Sequence, residues 1–226
     1  MQLHADFTKR AVIHGAELEW KASPIAGVNR RMLDRIGGEV ARATTIVRFD
    51  AGSRFDPHTH GGGEEFFVLE GVFQDEHGDY PAGTYIRNPP TSRHTPGSDE
   101  GCTILVKLWQ FDPDDRTFVT LDTEKMEAFA DPDRAGIEVR PLFQDDRETV
   151  RLENWPAETS LPIGHVDGAE YFVLGGGYSL DGEAFSRSSW LRLPAGQSAE
   201  VSTGPQGATI WSKTGHLIHA VAPDVR

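Results

Sequence analysis

The sequence predicts an all-β fold made of two tandem barrels, on three observations: an internal repeat, many short β-rich runs cut by turn residues, and no long amphipathic helical pattern. The repeat is explicit. Glu64-Glu65-Phe66-Phe67-Val68-Leu69-Glu70-Gly71 returns 105 residues later as Ala169-Glu170-Tyr171-Phe172-Val173-Leu174-Gly175-Gly176. Gly101-Cys102-Thr103-Ile104-Leu105-Val106-Lys107 matches Gly207-Ala208-Thr209-Ile210-Trp211-Ser212-Lys213 at an offset of 106. The halves therefore share one ancestral fold.

Within the first half, Ala43 to Phe49, Glu65 to Leu69, Thr84 to Arg87 and Thr103 to Trp109 are rich in Val, Ile, Phe and Thr and are bounded by Gly, Pro, Asp or Asn. Such runs suit antiparallel strands joined by turns. One helical candidate stands out, Thr123 to Phe129, with Asp122 as its N-cap and Asp131-Pro132-Asp133 as its stop. The expected division is a first barrel over 1–122, a connecting segment over 123–136 and a second barrel over 137–226.

A chain of 226 residues is long enough for two domains of roughly 100 to 120 residues each. Its 22 Lys+Arg against 35 Asp+Glu leave a formal charge of −13, which repels nucleic acid and anionic lipid surfaces alike. Met1 to Lys21 lacks a basic start followed by an apolar core, and no run approaches the roughly 18 apolar residues that cross a bilayer. The expectation is a cytoplasmic protein. Cys102 is the single cysteine, so no internal disulfide or thiolate cluster is available, and a metal site must be built from His and carboxylates.

Such a site is written between residues 52 and 94. His58 and His60 lie two apart, and on an extended strand residues two apart share a face, so both imidazoles can converge on one ion. The Gly61-Gly62-Gly63 turn lets the next strand return with a carboxylate beside them, since glycine accepts backbone angles that other residues avoid. A third histidine, His94, follows the Pro89-Pro90 turn. Three neutral imidazoles and one carboxylate suit Zn, Fe, Mn, Ni or Cu as one divalent ion, and these borderline ligands do not select among them.

At these residues the chain resembles the cupin superfamily. Gly52-x5-His58-x-His60-x3-Glu64-x6-Gly71 is similar to the first cupin motif at every fixed position. Gly83-x5-Pro89-x-Thr91-x2-His94-x3-Ser98 is similar to the second, with Thr91 and Ser98 standing where the pattern has glycine and asparagine. The wording from Glu70 to Tyr85 resembles the ChrR-like cupin group, named for the cupin half of zinc-binding anti-sigma factors. That likeness is close over residues 8 to 120 and faint in the second half. It implies two cupin barrels of the double-stranded β-helix or jelly-roll type, with metal ligands His58, His60, Glu64 and His94. Glu65 competes for the carboxylate role, and the spacing to Gly71 and strand parity favour Glu64.

Aligning Gly176 with Gly71 puts Ile163, His165 and Ala169 in place of His58, His60 and Glu64, and the turn at Gly196 puts Ala199 in place of His94. One histidine with three ligand positions lost holds no catalytic metal, so the second barrel is expected to be structural, with a metal-free small-molecule pocket as the alternative. Cys102 alternates with Ile104, Val106 and Leu108 and is expected to pack inward; near a metal it would instead be a redox-sensitive thiol. His77, Asp79 and Glu76 read as solvated turn residues, and Trp109, Trp190 and Trp211 as core or interface aromatics. The pocket floor is expected to include Phe66, Val68, Tyr85, Arg87 and Val106.

Two functions compete. The first is a mononuclear metal-dependent oxidoreductase, dioxygenase-like, acting on a small oxygenated molecule such as a diketone, phenol or flavonoid, with Glu64 as ligand or general base. The second is a regulatory cupin related to anti-sigma factors of the oxidative-stress response. The resemblance implies a His and Cys zinc motif ahead of the cupin in those factors, whereas here the cupin strands begin within the first few dozen residues and one cysteine exists. A zinc-stabilised structural bicupin is the third reading. Either a monomer imitating a pair of barrels or a homodimer suits the fold.

Overall fold

In a computed structural model the described residues, 1–38 and 40–223, form two compact β units, with three short 3-10 turns as the helical content. The last three residues of the expected second barrel lie outside the described residues. The first unit comprises Met1–Ala5, Leu18–Lys125 and the C-terminal residues from Val221; the second comprises Asp6–Glu17 and Met126–Ala220.

The two units share one strand order. In the first, Val28–Gly37, Ala41–Phe49, Cys102–Leu108, Glu64–Asp75 and Thr84–Asn88 are neighbours in that sequence, all antiparallel. In the second, Glu138–Gln144, Thr149–Trp155, Ser198–Thr214, Ala169–Leu180 and Ser189–Leu193 repeat it. The repeat seen in sequence is thus a repeat of sheet topology.

The expected domain limits need one correction. Ala11–His14 falls inside the predicted first barrel, yet it pairs with Ser189–Leu193 and completes the edge of the second. Its counterpart ahead of the second barrel, Val119–Asp122, pairs instead with Thr84–Asn88 of the first. Each barrel's leading strand therefore extends the other barrel's sheet by one strand and covers the edge that Thr84–Asn88 or Ser189–Leu193 would otherwise present.

The predicted helix from Thr123 to Phe129 shrinks to a 3-10 turn, Thr123–Lys125. Asp122 does cap it, its Oδ1 accepting from the Glu124 amide at 3.2 Å. Thr123 is then held by the Gly83 carbonyl through its own Oγ1 at 2.6 Å, and Phe129 is drawn into an antiparallel pair with Val139. Tertiary pairing overrides a weak seven-residue helical preference.

The first barrel's core gathers Phe49, Phe66, Val68, Phe73, Cys102, Ile104 and Val106, the inward halves of alternating strands. Cys102 packs inward as expected, and burial pushes its thiol up to about 11. Of the expected pocket floor, Phe66, Val68 and Val106 face this core, but Tyr85 and Arg87 do not. They sit opposite Phe67 and Glu65 in the register, on the other face of the sheet, where both side chains bond to Glu65.

Candidate metal centre

The His58–Thr59 strand pairs with Arg93–His94 so that His94 stands directly opposite His58, while His60 follows two residues on and Glu64 opens the next long strand. The turn between them is tighter than glycine freedom alone explains. Gly63 adopts φ +77, a left-handed angle, but Gly61 and Gly62 do not. They are small because Trp109 lies over them: a Cβ on Gly61 would sit 2.7 Å from the indole ring. Trp109 itself takes φ 59, an uncommon angle for a bulky side chain, held by its amide bonding to the Gly63 carbonyl at 3.1 Å. The sequence reading placed Trp109 in a core or interface; it lies instead on the wall of the site cavity.

Four ligand atoms, one each from His58, His60, Glu64 and His94, lie within 4.8 Å of one another. Ring centroids of His60 and His94 are 4.6 Å apart, and each is 5.1 Å from that of His58. Glu64 Oε2 lies 3.4 Å from Nε2 of both His60 and His94. Glu65 is excluded from the cluster, being bonded to the Tyr85 hydroxyl and, at 3.4 Å, to Arg87.

The far nitrogens are all tethered. His60 Nδ1 meets Ser92 Oγ at 2.9 Å, His94 Nδ1 meets Asp75 Oδ2 at 3.2 Å, and His58 Nδ1 meets the Asp56 carbonyl at 3.2 Å. A carbonyl and a carboxylate only accept, so Nδ1 of His58 and of His94 donates, and the Ser92 hydroxyl can accept from His60 Nδ1 in the same way, which leaves Nε2 as the nitrogen able to ligate. Nε2 of His60 and His94 is buried there with no hydrogen-bond partner. Buried polar atoms are ordinarily paired, so two such atoms aimed at one spot fit an electrophile such as a divalent cation. Burial holds His60 below its ordinary pKa, against an opposing pull from Glu64. For His94 burial pushes the same way, but the Asp75 hydrogen bond and the Glu64 charge outweigh it and raise the value.

The motif departures have local explanations. Thr91 adopts φ 75, the left-handed region that glycine occupies without strain, and its amide bonds to the His60 carbonyl at 2.8 Å. Ser98, where the pattern has asparagine, is buried and donates to the Val72 carbonyl at 2.6 Å. Neither supplies an atom to the His58, His60, Glu64 and His94 cluster. Asp75, Ser92 and Asp56 were not legible in the sequence: nothing in a lone carboxylate 19 residues ahead of His94 marks it as an orienting partner. Of the turn residues assigned no role, Glu76 accepts the Thr95 amide at 2.7 Å and Asp79 accepts from Gln74 at 2.7 Å.

In the second barrel the same register brings Ile163 opposite Ala199, as His58 stands opposite His94. Ile163 and Ala169 are buried in an aliphatic and aromatic core, Ala199 packs against it, and His165 Nδ1 accepts the Asp167 amide at 3.1 Å. Among the described residues, no metal-type cluster forms there. In the first barrel the cluster opens into a cavity of about 410 Å³, within the usual range for small-molecule sites.

This combination of two like β barrels and one His3Glu cluster defines a bicupin. The family model of the ChrR Cupin-like domain matches twice, over residues 8–112 and 116–218, and the chain belongs to that family. Among solved structures it is similar to a candidate dioxygenase from Nostoc punctiforme, at TM-score 0.76 and 13% identity, covering 97% of this chain and 87% of that one. It is also similar to the bacterial pirin YhhW from Escherichia coli in complex with nickel(II), at TM-score 0.65 and 14% identity, over 92% and 99% of the two chains. A third likeness is to a mutant of Bacillus subtilis oxalate decarboxylase, at TM-score 0.62 and 11% identity, over 91% and 76%. At such identities these likenesses establish the fold. No curated protein sequence matches the chain.

Proposed function

We propose that the first barrel is a mononuclear metal centre of dioxygenase type that works on a small oxygenated molecule in the cytoplasm. The observation that carries this reading is that Nε2 of His60 and of His94 are buried without a hydrogen-bond partner, each 3.4 Å from Glu64 Oε2, with His60 and Glu64 on the wall of a cavity. A divalent ion bound there supplies Lewis acidity and, for iron, copper, nickel or manganese, oxygen chemistry. The chain's residues do the rest. His58, His60 and His94 hold the ion as neutral donors fixed by Asp56, Ser92 and Asp75. Glu64 Oε2, steadied by Asn88 Nδ2 at 3.4 Å, ligates or accepts a proton from a substrate hydroxyl or enol. Apolar walls such as Phe55, Ile104 and Leu108 exclude water from that transfer. The fold is shared with a candidate dioxygenase and with a nickel-bound pirin, which suits this chemistry without naming the reaction.

Membership in the ChrR-type family favours a second reading, a ligand or oxidant sensor in which the same residues hold zinc. Elemental mass spectrometry on untagged protein, purified without added metal beside His58→Ala and His94→Ala variants, separates the two. The expected result is about one equivalent of metal in the wild type, lost in both variants. Iron, manganese, copper or nickel supports the oxidoreductase and directs oxygen-uptake assays to diketones and phenols. Zinc alone supports the sensor, and no metal in any sample sinks both.

A further inference from the structure

The second barrel has a cavity of its own, of about 200 Å³, and its wall includes Ile163 and His165, the residues at the places of His58 and His60. The rest of the wall is rebuilt. The matching registers equate Ala43, Val47, Phe66, Val106 and Leu108 of the first barrel with Thr149, Glu153, Tyr171, Ser212 and Thr214 of the second, and Thr45 with Arg151. All six replacements line the cavity. Five apolar positions have thus become polar in the barrel whose metal ligands became apolar. A barrel kept as scaffold alone gains nothing from such exchanges, because a polar group taken from water costs free energy until it is paired.

The acceptors on this wall are already engaged. Asp131 Oδ2 accepts from Arg134 Nε at 3.0 Å and Nη2 at 2.7 Å, and its Oδ1 accepts the amides of Asp133 and Arg134. Glu153 accepts from Arg134, Trp155 and Ser212. What is left among the described residues is donors. Tyr171 is 2% exposed, and its hydroxyl oxygen accepts the Gly164 amide at 2.8 Å, but its own O–H meets no acceptor in the protein. Arg151 reaches Asp131 Oδ2 through Nη1 at 3.5 Å, and its other N–H groups have no protein acceptor. Thr149 and Thr214, opposite one another in the register, add two hydroxyls that bond to no other protein group.

We propose that the second barrel is a metal-free ligand pocket in its own right and takes a short-chain carboxylate, whose oxygens accept from Arg151, Tyr171 and the two threonines. A carboxylate only accepts, has about four lone-pair sites in a small volume, and suits the forked N–H donors of a guanidinium. An amide of the same shape brings N–H donors to a wall whose carboxylates are occupied, and a cation meets the same obstacle. Size limits the chain: at roughly 30 Å³ per water-sized group, the cavity holds a molecule of about six non-hydrogen atoms. The proposal is independent of the metal reading of the first barrel.

Saturation-transfer NMR titration of the purified protein with propionate and with propionamide, alike in shape and unlike in charge, tests this. The acid is expected to bind about tenfold tighter than the amide. Two variants return a wall residue to its first-barrel counterpart, Arg151→Thr and Tyr171→Phe, and each should weaken the acid about fivefold or more while far-UV circular dichroism stays unchanged. Tyr171→Phe loses one hydroxyl and keeps the ring, so it decides the matter if Arg151→Thr fails to fold. A metal in the first barrel would also attract a carboxylate, and titration of His94→Ala separates the two sites. Selectivity for the acid that persists in His94→Ala supports the second-barrel pocket, whether or not the wild type holds metal. Selectivity lost in His94→Ala, affinity unchanged in a folded Arg151→Thr or Tyr171→Phe variant, equal binding of acid and amide, or no binding of either in the millimolar range overturns it.

Discussion

The two barrels place different chemistry at matching positions of one strand plan. Where the first has His58 facing His94 beside Glu64, the second has Ile163 facing Ala199 beside Ala169. Deeper in, the trade runs the other way. Val47 pairs with Ile104 in the first barrel, and the matching pair in the second is Glu153 with Ile210; Val106 gives way to Ser212 and Phe66 to Tyr171. Glu153 accepts from Arg134 at 2.9 Å, Trp155 Nε1 at 2.8 Å and Ser212 Oγ at 2.7 Å. Its polarity is met within the protein, whereas Nε2 of His60 and of His94 has no hydrogen-bond partner. A buried polar group satisfied internally adds rigidity, and one left open marks a place where something else completes it.

The sharpest way to break this contrast is to damage the second barrel and watch the first. Trp155→Ala removes a buried indole packed against Tyr171 and Tyr178, at centroid distances of 5.9 and 5.4 Å, and should cost about 3–5 kcal/mol in urea unfolding. Metal content should not change in the folded variant; its loss would mean that the second barrel is part of the site. Next comes Asp131→Asn, which strips one partner from Arg134, now bonded at 2.7 Å to Asp131, and should cost about 3 kcal/mol. Although burial works against it, hydrogen bonds from Arg134 and the Asp133 amide hold the Asp131 carboxyl below its ordinary 3.8. The unfolded chain therefore takes up the proton first. This contribution is fully present above the ordinary carboxylate value and is lost as pH falls through the lowered folded one, so the variant should flatten the acid limb of the stability curve below about pH 4.

Asp75→Asn acts on the first barrel alone. It weakens the hold on His94 Nδ1 and should reduce metal affinity about tenfold in a chelator competition, with the unfolding midpoint of the metal-free protein little moved. The smallest effect belongs to Cys102. With its thiol pushed up to about 11 from 9.0, native alkylation by iodoacetamide at neutral pH should run about 100-fold slower than in urea. Rapid native modification would revive the redox-thiol reading.

Local pattern explains what was legible beforehand. The repeat, the strand runs, the clustering of His58 and His60 with Glu64 and the substitutions at Ile163, Ala169 and Ala199 all follow from spacing within single strands or turns. Long-range pairing explains what was not. Asp75 meets His94 at the far end of the long strand Glu64–Asp75, and Trp109 reaches the glycine turn through a left-handed angle that no propensity predicts. The register shift between Met32 and Asp34 on the strand Val28–Gly37 likewise depends on the neighbouring strand, and simple alternation does not predict it. Parity also misplaced Tyr85 and Arg87 on the pocket floor, because both faces of that strand are buried and burial then carries no direction.

The exchange of leading strands bears on how the chain is made. Ser189, on the edge that Ala11–His14 must join, lies 175 residues beyond His14, so at about 5–20 residues per second the ribosome delivers the partner roughly 10–35 s after the strand itself. For that interval Ala11–His14 is an unpaired edge segment, and the second barrel closes only by recruiting the oldest part of the chain. A cut through the connecting segment would therefore not yield two independent halves. It would leave a second half with an open Ser189–Leu193 edge and a first half carrying the strand that edge requires, a pair suited to fragment complementation rather than to separate expression.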